Sequence, residues 1–373
     1  MKRVAVPAQA AKLLRVLADE ARVRGTPLYA VGGPVRDWIL KRPNFDLDLT
    51  VAGSPDAVAE AGARLLGGTV EVFGRFGTRR VVSKGKFRLD VATTRAETYH
   101  EPAALPVIDA TGIAIAVDLF RRDFTINAMA VRLDDSSNAL TDPYGGLRDL
   151  KAKTVRVLHA ASFRDDPTRV FRAARFMSRL NYSPAEGLVD AAKAALAEGH
   201  AAKLSAHRLL HEFECLLGEK DPRPAFVLLK AWGYLDLFHR KFPWKTSLPA
   251  GVEPRLAALA LALGPIDGTA FVAAFPHEHK RGARLREALA LAFSDKAPRS
   301  VPDPAVAAAV KRFLPKLPPA ALKPAFLAGA DLIAAGRQPG PGFQPLIDEA
   351  AKLQRAGKLK TRPAALSWLK KQS

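Results

Sequence analysis

The run FDLDLTV, residues 45 to 51, sets Asp46 and Asp48 among leucines. In a strand, residues two apart share a face, with Cα atoms roughly 6.6 Å apart, so both carboxylates aim one way while Phe45, Leu47 and Leu49 fill the other face. Two half-buried anions so placed repel each other unless a cation sits between them, and hard oxygen donors favour Mg²⁺. In KFRLDVATT, Asp90 alternates in the same way with Phe87, Leu89 and Val91, so a neighbouring strand can bring a third carboxylate. Three acids can hold two ions ~4 Å apart, which steadies both the attacking and the leaving oxygen of phosphoryl or nucleotidyl transfer. An isolated Asp-x-Asp more often pairs with a surface Arg or Lys. Here VGGPVRD, residues 31 to 37, precedes it: Gly32 and Gly33 end a strand and open a helix, where backbone N–H groups can approach an oxyanion and Arg36 adds a fixed charge for phosphate.

These residues need a scaffold. Apolar positions at helical spacing predict a lead-in helix over 8–23. PLYAV, FDLDLTV and TVEVFG then read as strands, and TRRVVSKGKFRLDVATT as two more around the turn KGK. The expected fold is an α+β head with a mixed sheet over 1–150, followed by all-helical parts: a neck over 151–218, a body over 219–298 and a basic tail over 299–373. In the neck, Arg169, Arg172, Arg175 and Arg179 fall on one helix face while Val170, Ala173, Ala174 and Met177 face inward.

Composition narrows the class. With 48% hydrophobic and 25% charged residues the 373-residue chain can bury a sizeable core and is not globally disordered. Fifty-seven Lys and Arg against 37 Asp and Glu leave +20, a field that attracts polyanions, nucleic acid first among them. A single cysteine, Cys215 in the apolar run FECLL, excludes a disulfide framework and reads as a buried structural thiol suited to a reducing cytosol. No run is read as long enough to span a membrane, and a cytoplasmic protein is expected. His277 and His279 have no evident third ligand and read as ordinary surface or core histidines.

The ordered motifs resemble those of the class II tRNA nucleotidyltransferase and bacterial poly(A) polymerase family, within the polymerase β-like nucleotidyltransferase superfamily. They are VGGPVRD with FDLDLTV, LDVATTRAETYHEPAALP, RRDFTINAMA at 121–130, DPYGGLRDL at 142–150, SFRDDPTRVFRAARF at 162–176 and HRLLHEFECLL. TRPAALSWLKK is similar to the family's closing segment. The resemblance implies that Asp46 and Asp48 hold two Mg²⁺ ions, with Asp90 as the third catalytic acid. Gly32, Gly33 and Arg36 would serve the nucleotide's phosphates, and Arg122, Asp123 and Asn127 its ribose and phosphate side. DDPTR would read the base through Asp166 and Arg169, with Arg172 and Arg175 beyond them toward the triphosphate; Asp165 stands where relatives mostly have Glu. A carboxylate accepts from an exocyclic amine and a guanidinium donates to ring nitrogen or carbonyl, so such a pair suits C and A over U and G.

The implied activity is template-independent addition or repair of the 3′-terminal CCA of tRNA from CTP and ATP. The alternatives are addition of the terminal A alone, or poly(A) synthesis on RNA generally. GRFGTRR is closer to the tRNA-specific side than the GRRFR-like run of poly(A) polymerases, and the 32 steps from Asp90 to Arg122 leave room for the flexible segment that CC-only members lack. The paired glycines of DPYGGLRDL could form a hinge or a plain turn. With no His-Asp doublet, an appended phosphohydrolase domain is not expected. The partners are tRNA, through its 3′ end and its acceptor and elbow region, and the two triphosphates; no membrane contact is expected, and oligomeric state stays open.

Overall fold

The computed structural model describes every residue except Met1, Arg75, Ser136, Asp295, Arg299 and Ser373. Arg75 of GRFGTRR and Arg299 of the Pro-rich run KAPRSVPDPAV therefore lie outside the described residues. The chain forms two compact units, 1–204 and 205–373; the expected head and the DDPTR segment both fall in the first.

Helix α1 (Ala8–Val23) buries Leu13, Leu14, Leu17 and Ala21, as its apolar spacing requires. Then come β1 (Leu28–Val31), α2 (Gly33–Ile39), β2 (Asp46–Val51), α3 (Asp56–Leu66), β3 (Thr69–Phe73), β4 (Thr78–Val82) and β5 (Arg88–Thr93). A hairpin of β6 (Arg95–Thr98) and β7 (Val107–Thr111) precedes α4 (Ile115–Phe120), β8 (Ala130–Arg132), β9 (Leu140–Thr141) and α5 (Gly146–Ala152). Helices α6 (Ser162–Asp165), α7 (Thr168–Leu180) and α8 (Leu188–Ala197) follow. The main sheet runs β3-β4-β5-β2-β1-β8-β9. Only β2 and β5 pair in parallel within it, because α3 and the β3–β4 hairpin supply the long crossover that parallel strands need.

This pairing places the acids. Across the parallel ladder Asp48 stands opposite Asp90 and Asp46 opposite Arg88; across the antiparallel one Arg80 stands opposite Asp90. Arg80, Asp90 and Asp48 thus form one row over three adjacent strands. Behind the row Leu47, Leu49, Leu89 and Val91 are almost fully buried. Phe45 departs from the expected inward face: it is 39% exposed and rests against Phe87, with 5.6 Å between ring centroids, because it precedes the first paired residue of β2. The β6–β7 hairpin gave no sequence signal, since every residue of β7 is exposed and nothing selects alternation.

DPYGGLRDL is a built turn. Asp142 accepts from the N–H groups of Gly146 and Leu147 at 2.7 and 2.9 Å. Gly145 has φ +76°, and a Cβ on Gly146 would lie 2.2 Å from the Thr125 carbonyl oxygen, so neither position accepts another residue without strain.

The second unit is helical: α9 (Ala206–Leu217), α10 (Arg223–Trp232), α11 (Val252–Ala273), α12 (His279–Phe293), α13 (Pro304–Phe313), α14 (Gly329–Ala334), α15 (Phe343–Arg355) and α16 (Arg362–Lys370). Phe213 stacks on Phe238 at 4.3 Å and meets Phe226, Phe242, Phe271 and Phe275 edge-on or tilted. The buried Arg255 donates to the carbonyls of Leu217, Glu219 and Lys220, capping the end of α9. Two expectations are corrected. Cys215 is half-buried rather than buried, with Sγ 3.8 Å from His211 Nε2, because it sits one turn from His211 at the margin of the apolar stripe. Among the described residues one helix, α11, is long and apolar enough to cross a membrane, though half of its apolar window is buried and it breaks at Gly264, φ 84° and ψ −175°, before Pro265.

Candidate active site

Asp48 and Asp90 open into a cleft of about 290 Å³ whose walls carry Arg80, Arg88, Arg95, Arg121 and Arg122. Solvent reaches the Asp48 carboxylate on its exposed strand face, yet desolvation by the surrounding protein pushes its pKa above the ordinary value; Arg122 pulls it back down, and Asp90 and Asp46 add to the rise. Asp46 lies at the open end of the strand, and its N–H is held by Asn44 Oδ1 at 2.7 Å. Asn44 in turn donates to Asp37 at 2.8 Å, which ties the entry of β2 to α2.

Asp90 is otherwise engaged. Arg80 grips both its oxygens, at 2.8 and 2.7 Å, and Arg88 adds a third contact at 3.2 Å. Among the described residues no group of three Asp, Glu, His or Cys side chains is gathered as a ligand set. As donors, Asp46 and Asp48 fit a hard divalent cation: both carboxylates are solvent-reachable and lie on one face, and neither makes an ion pair among the described residues. Asp90 fits in position, not in its present pairing.

Val31 at the end of β1 lines the cleft, and Gly32 follows it. Its φ of +74° suits glycine, and a Cβ there would sit 3.1 Å from Arg122 Nη1, so the bare backbone lets the guanidinium lie against the turn. Gly33 opens α2. Arg122 Nη2 donates to the buried Asp118 at 3.1 Å, while its buried Nε has no partner among the described residues, an unsatisfied donor of the kind that marks a site awaiting a group. Asp118 also binds Arg121 and the Arg95 N–H. Desolvation would raise its pKa, but Arg122 and Arg121 together bring it below the ordinary value. Sequence reading missed Asp118, although its spacing of three and four from Arg121 and Arg122 is a helical ion-pair signal.

Arg36 is not turned toward the cleft as a free charge. It is buried, donating to Asn127 Oδ1 at 2.7 Å and to Asp37 at 2.9 Å. Asn127 donates to Asp123 at 3.0 Å, and Asp123 takes two N–H groups of Arg172. The predicted nucleotide-side residues of three segments are thus one hydrogen-bonded chain, Arg36–Asn127–Asp123–Arg172, buried except at Arg172. Burial alone would raise the Asp123 pKa; Arg172, Asn127 and Arg169 outweigh it and the net shift is downward. The guanidinium groups of Arg36, Arg172, Arg175 and Arg179 all lie 5.1 to 5.6 Å from the Phe176 ring centroid, four cations about one aromatic ring. Val170, Ala173, Ala174 and Met177 are buried as expected.

Asp166 and Arg169 form a separate neighbourhood at the start of α7. Asp166 Oδ1 accepts from the Thr168 N–H at 3.0 Å and from its hydroxyl at 2.5 Å. Arg169 is buried, with Nη1 on Ser162 Oγ at 2.7 Å and Nη2 on the Arg121 carbonyl at 2.8 Å, so the cleft's arginine segment fixes its angle. Tyr99 stands 5.8 Å from this guanidinium and was not singled out from sequence; burial raises its pKa, opposed by Arg169. Asp165 lies 4.0 Å from His159 Nδ1.

Residues 28–156 match the poly A polymerase head domain. The chain is 40% identical over 235 residues to an A-adding tRNA nucleotidyltransferase of Geobacter sulfurreducens, covering 63% of this chain and 26% of that one. It spans between about a quarter and a half of the length of the A-adding relatives it matches. A CC-adding tRNA nucleotidyltransferase of Deinococcus radiodurans is 31% identical over 353 residues, 92% of this chain and 90% of that one. An apo form of a CCA-adding enzyme shares the fold at TM-score 0.69 and 27% identity, over 98% of this chain and 96% of that one. Other solved CCA-adding enzymes on this fold contain ATP, CTP or, in the Thermotoga maritima enzyme, tRNA. Because the Deinococcus match runs nearly end to end in both chains and the head domain contains the acidic row, this chain belongs to the tRNA nucleotidyltransferase family built on the poly(A) polymerase head.

Proposed function

We propose that the chain is a template-independent tRNA nucleotidyltransferase that adds or repairs the 3′-terminal CCA of tRNA from CTP and ATP in the cytoplasm. The observation that carries this is the register of Asp48 against Asp90 in an arginine-walled cleft; Arg169, bonded to the carbonyl of the cleft residue Arg121, and Asp166 supply a guanidinium and a carboxylate suited to reading bases. The nucleotides and tRNA held by the solved relatives support it.

The reaction is attack of the tRNA 3′-hydroxyl on the α-phosphate of the triphosphate, with pyrophosphate leaving. Asp46 and Asp48 would hold Mg²⁺, with Asp90 as third acid; when bound, such ions polarise the α-phosphate and stabilise the attacking and leaving oxygens. Arg122, held by Asp118 on the cleft wall, offers its charge to the phosphates. Asp166 and Arg169 accept from and donate to the base edge, and the hydrogen-bonded chain from Arg36 to Arg172 keeps α2, the RRDFTINA segment and α7 in one arrangement. The basic helices of 299–373 would follow the tRNA backbone toward its elbow.

Addition of A alone is the second reading, favoured by the 40% identity to A-adding relatives over 235 and 223 residues. The deciding experiment gives purified protein transcripts ending before C74, before C75 and before A76, each with single triphosphates. CCA addition predicts product on all three; product only on the last means an A-adding enzyme, and long tails on arbitrary RNA mean a poly(A) polymerase.

A further inference from the structure

We propose that Arg80 is a resident counter-cation that occupies Asp90 in place of a divalent ion, so that the third acid joins Asp46 and Asp48 only when Arg80 releases it. This rests on the reading of Asp46 and Asp48 as metal-holding acids.

The row Arg80, Asp90, Asp48 lies across three paired strands, so Asp90 has the arginine as its direct neighbour on one side and the metal-side acid on the other. Both Asp90 oxygens are taken by the guanidinium fork, a bidentate geometry about twice as strong as neutral hydrogen bonding. The guanidinium is also pressed on the Phe73 ring, 3.3 Å from its centroid, and the pair is largely withdrawn from solvent, with side-chain exposures of 19% and 13%. This accounts for the missing ligand set: Asp90 is placed beside Asp48 but its charge is already neutralised. An ion that recruits Asp90 must displace the fork, and the two cations compete for one carboxylate. A triphosphate can relieve the competition, since the same fork binds phosphate oxygens as well as carboxylate. Metal and nucleotide binding are then coupled through one side chain.

The test is Mn²⁺ binding to the full chain without nucleotide, followed by the electron paramagnetic resonance signal of free Mn²⁺, with circular dichroism confirming the fold. Arg80→Gln should tighten binding at least about fivefold, on the order of 1 kcal/mol. Asp90→Asn alone should change affinity little, whereas Asp90→Asn added to Arg80→Gln should remove the gain. Unchanged or weaker binding in Arg80→Gln overturns the proposal, as does an equal loss from Asp90→Asn in both backgrounds. Should Arg80→Gln not fold, Arg80→Met, which removes the charge and keeps an unbranched stem, carries the same expected direction and the same refutation. Asp48→Asn separates the two readings: if it abolishes Mn²⁺ binding while Arg80→Gln changes nothing, only the arginine's role fails; if Asp48→Asn leaves binding intact, the metal assignment fails and this inference with it.

Discussion

Arg172 holds Asp123 with two N–H groups on a single carboxylate oxygen, at 2.9 and 2.6 Å, and so pins helix α7 to the segment that lines the cleft. Removing the cation leaves a buried carboxylate hydrogen-bonded, among the described residues, by Asn127 and the Phe124 N–H, with Arg169 acting on it only through its charge. Arg172→Ala should therefore cost roughly 3 kcal/mol, at the lower end for a buried pair because Arg172 is partly exposed, read as a loss of several degrees in Tm.

The same pair sets a pH dependence. The Asp123 pKa is lowered in the folded chain, so its contribution is complete above the unfolded carboxylate value, about 3.9, and is lost as pH falls through the lower folded value. The Tm gap between the wild type and Asp123→Asn should be constant from neutral pH down to about pH 5 and shrink below about pH 4. A gap that widens in acid contradicts the pairing.

Asn127 joins two charged residues that do not touch each other, accepting from Arg36 and donating to Asp123. Asn127→Ala strands a donor and an acceptor in a buried site, at about 1–3 kcal/mol each. Asn127→Asp should be worse at neutral pH than Asn127→Ala, because it sets a second carboxylate against Asp123. Denaturant midpoints of the two variants provide the comparison.

Much of this site was legible because alternation and helical spacing report burial directly. Asp46, Asp48 and Asp90 stood out as charges on half-buried strands, and Arg169 to Arg179 as one helix face. What pairs with what was not legible. That Arg80 faces Asp90 follows from strand register across the KGK turn, and that Arg36 turns inward to Asn127 depends on a contact 91 residues away. The exposed hairpin β6–β7 left no periodic trace, so Tyr99 beyond its first strand passed unnoticed.

Asp48→Asn removes the charge and retains the shape of the acid nearest Asp90. Transfer should fall by roughly 10²–10³ or more, the scale of losing an electrostatic element of a phosphoryl-type transition state, while tRNA binding in a filter or gel-shift assay stays within about twofold. Asp46→Ala should likewise abolish transfer; full activity in either variant removes the metal assignment.

The net charge of +20 implies a binding step dominated by phosphate contacts. Raising salt from 50 to 200 mM should weaken tRNA binding by about 10³-fold if some six phosphates are neutralised, with log K linear in log salt. Lys358→Ala with Lys360→Ala, on the basic tail, should lower the slope without changing which nucleotide is added. A salt-independent affinity would leave the basic helices without the proposed role.

Base selection should reside in Arg169 more than in its charge. Its two terminal nitrogens are already oriented by Ser162 Oγ and the Arg121 carbonyl, so the planar fork can meet a base edge in only one plane. Arg169→Lys keeps the cation but cannot span those two acceptors, and both it and Arg169→Ala should reduce preference for CTP and ATP over UTP and GTP by about 1–3 kcal/mol, roughly five- to 150-fold. Ser162→Ala frees one side of the fork without touching the base, so it should blur selectivity partially while leaving kcat for the correct nucleotide within about threefold. Single-nucleotide incorporation with all four triphosphates measures this directly. Unchanged selectivity in Arg169→Ala would remove the reader, whereas lost selectivity in Arg169→Ala with none lost in Ser162→Ala would show that the Arg121 carbonyl alone sets the plane.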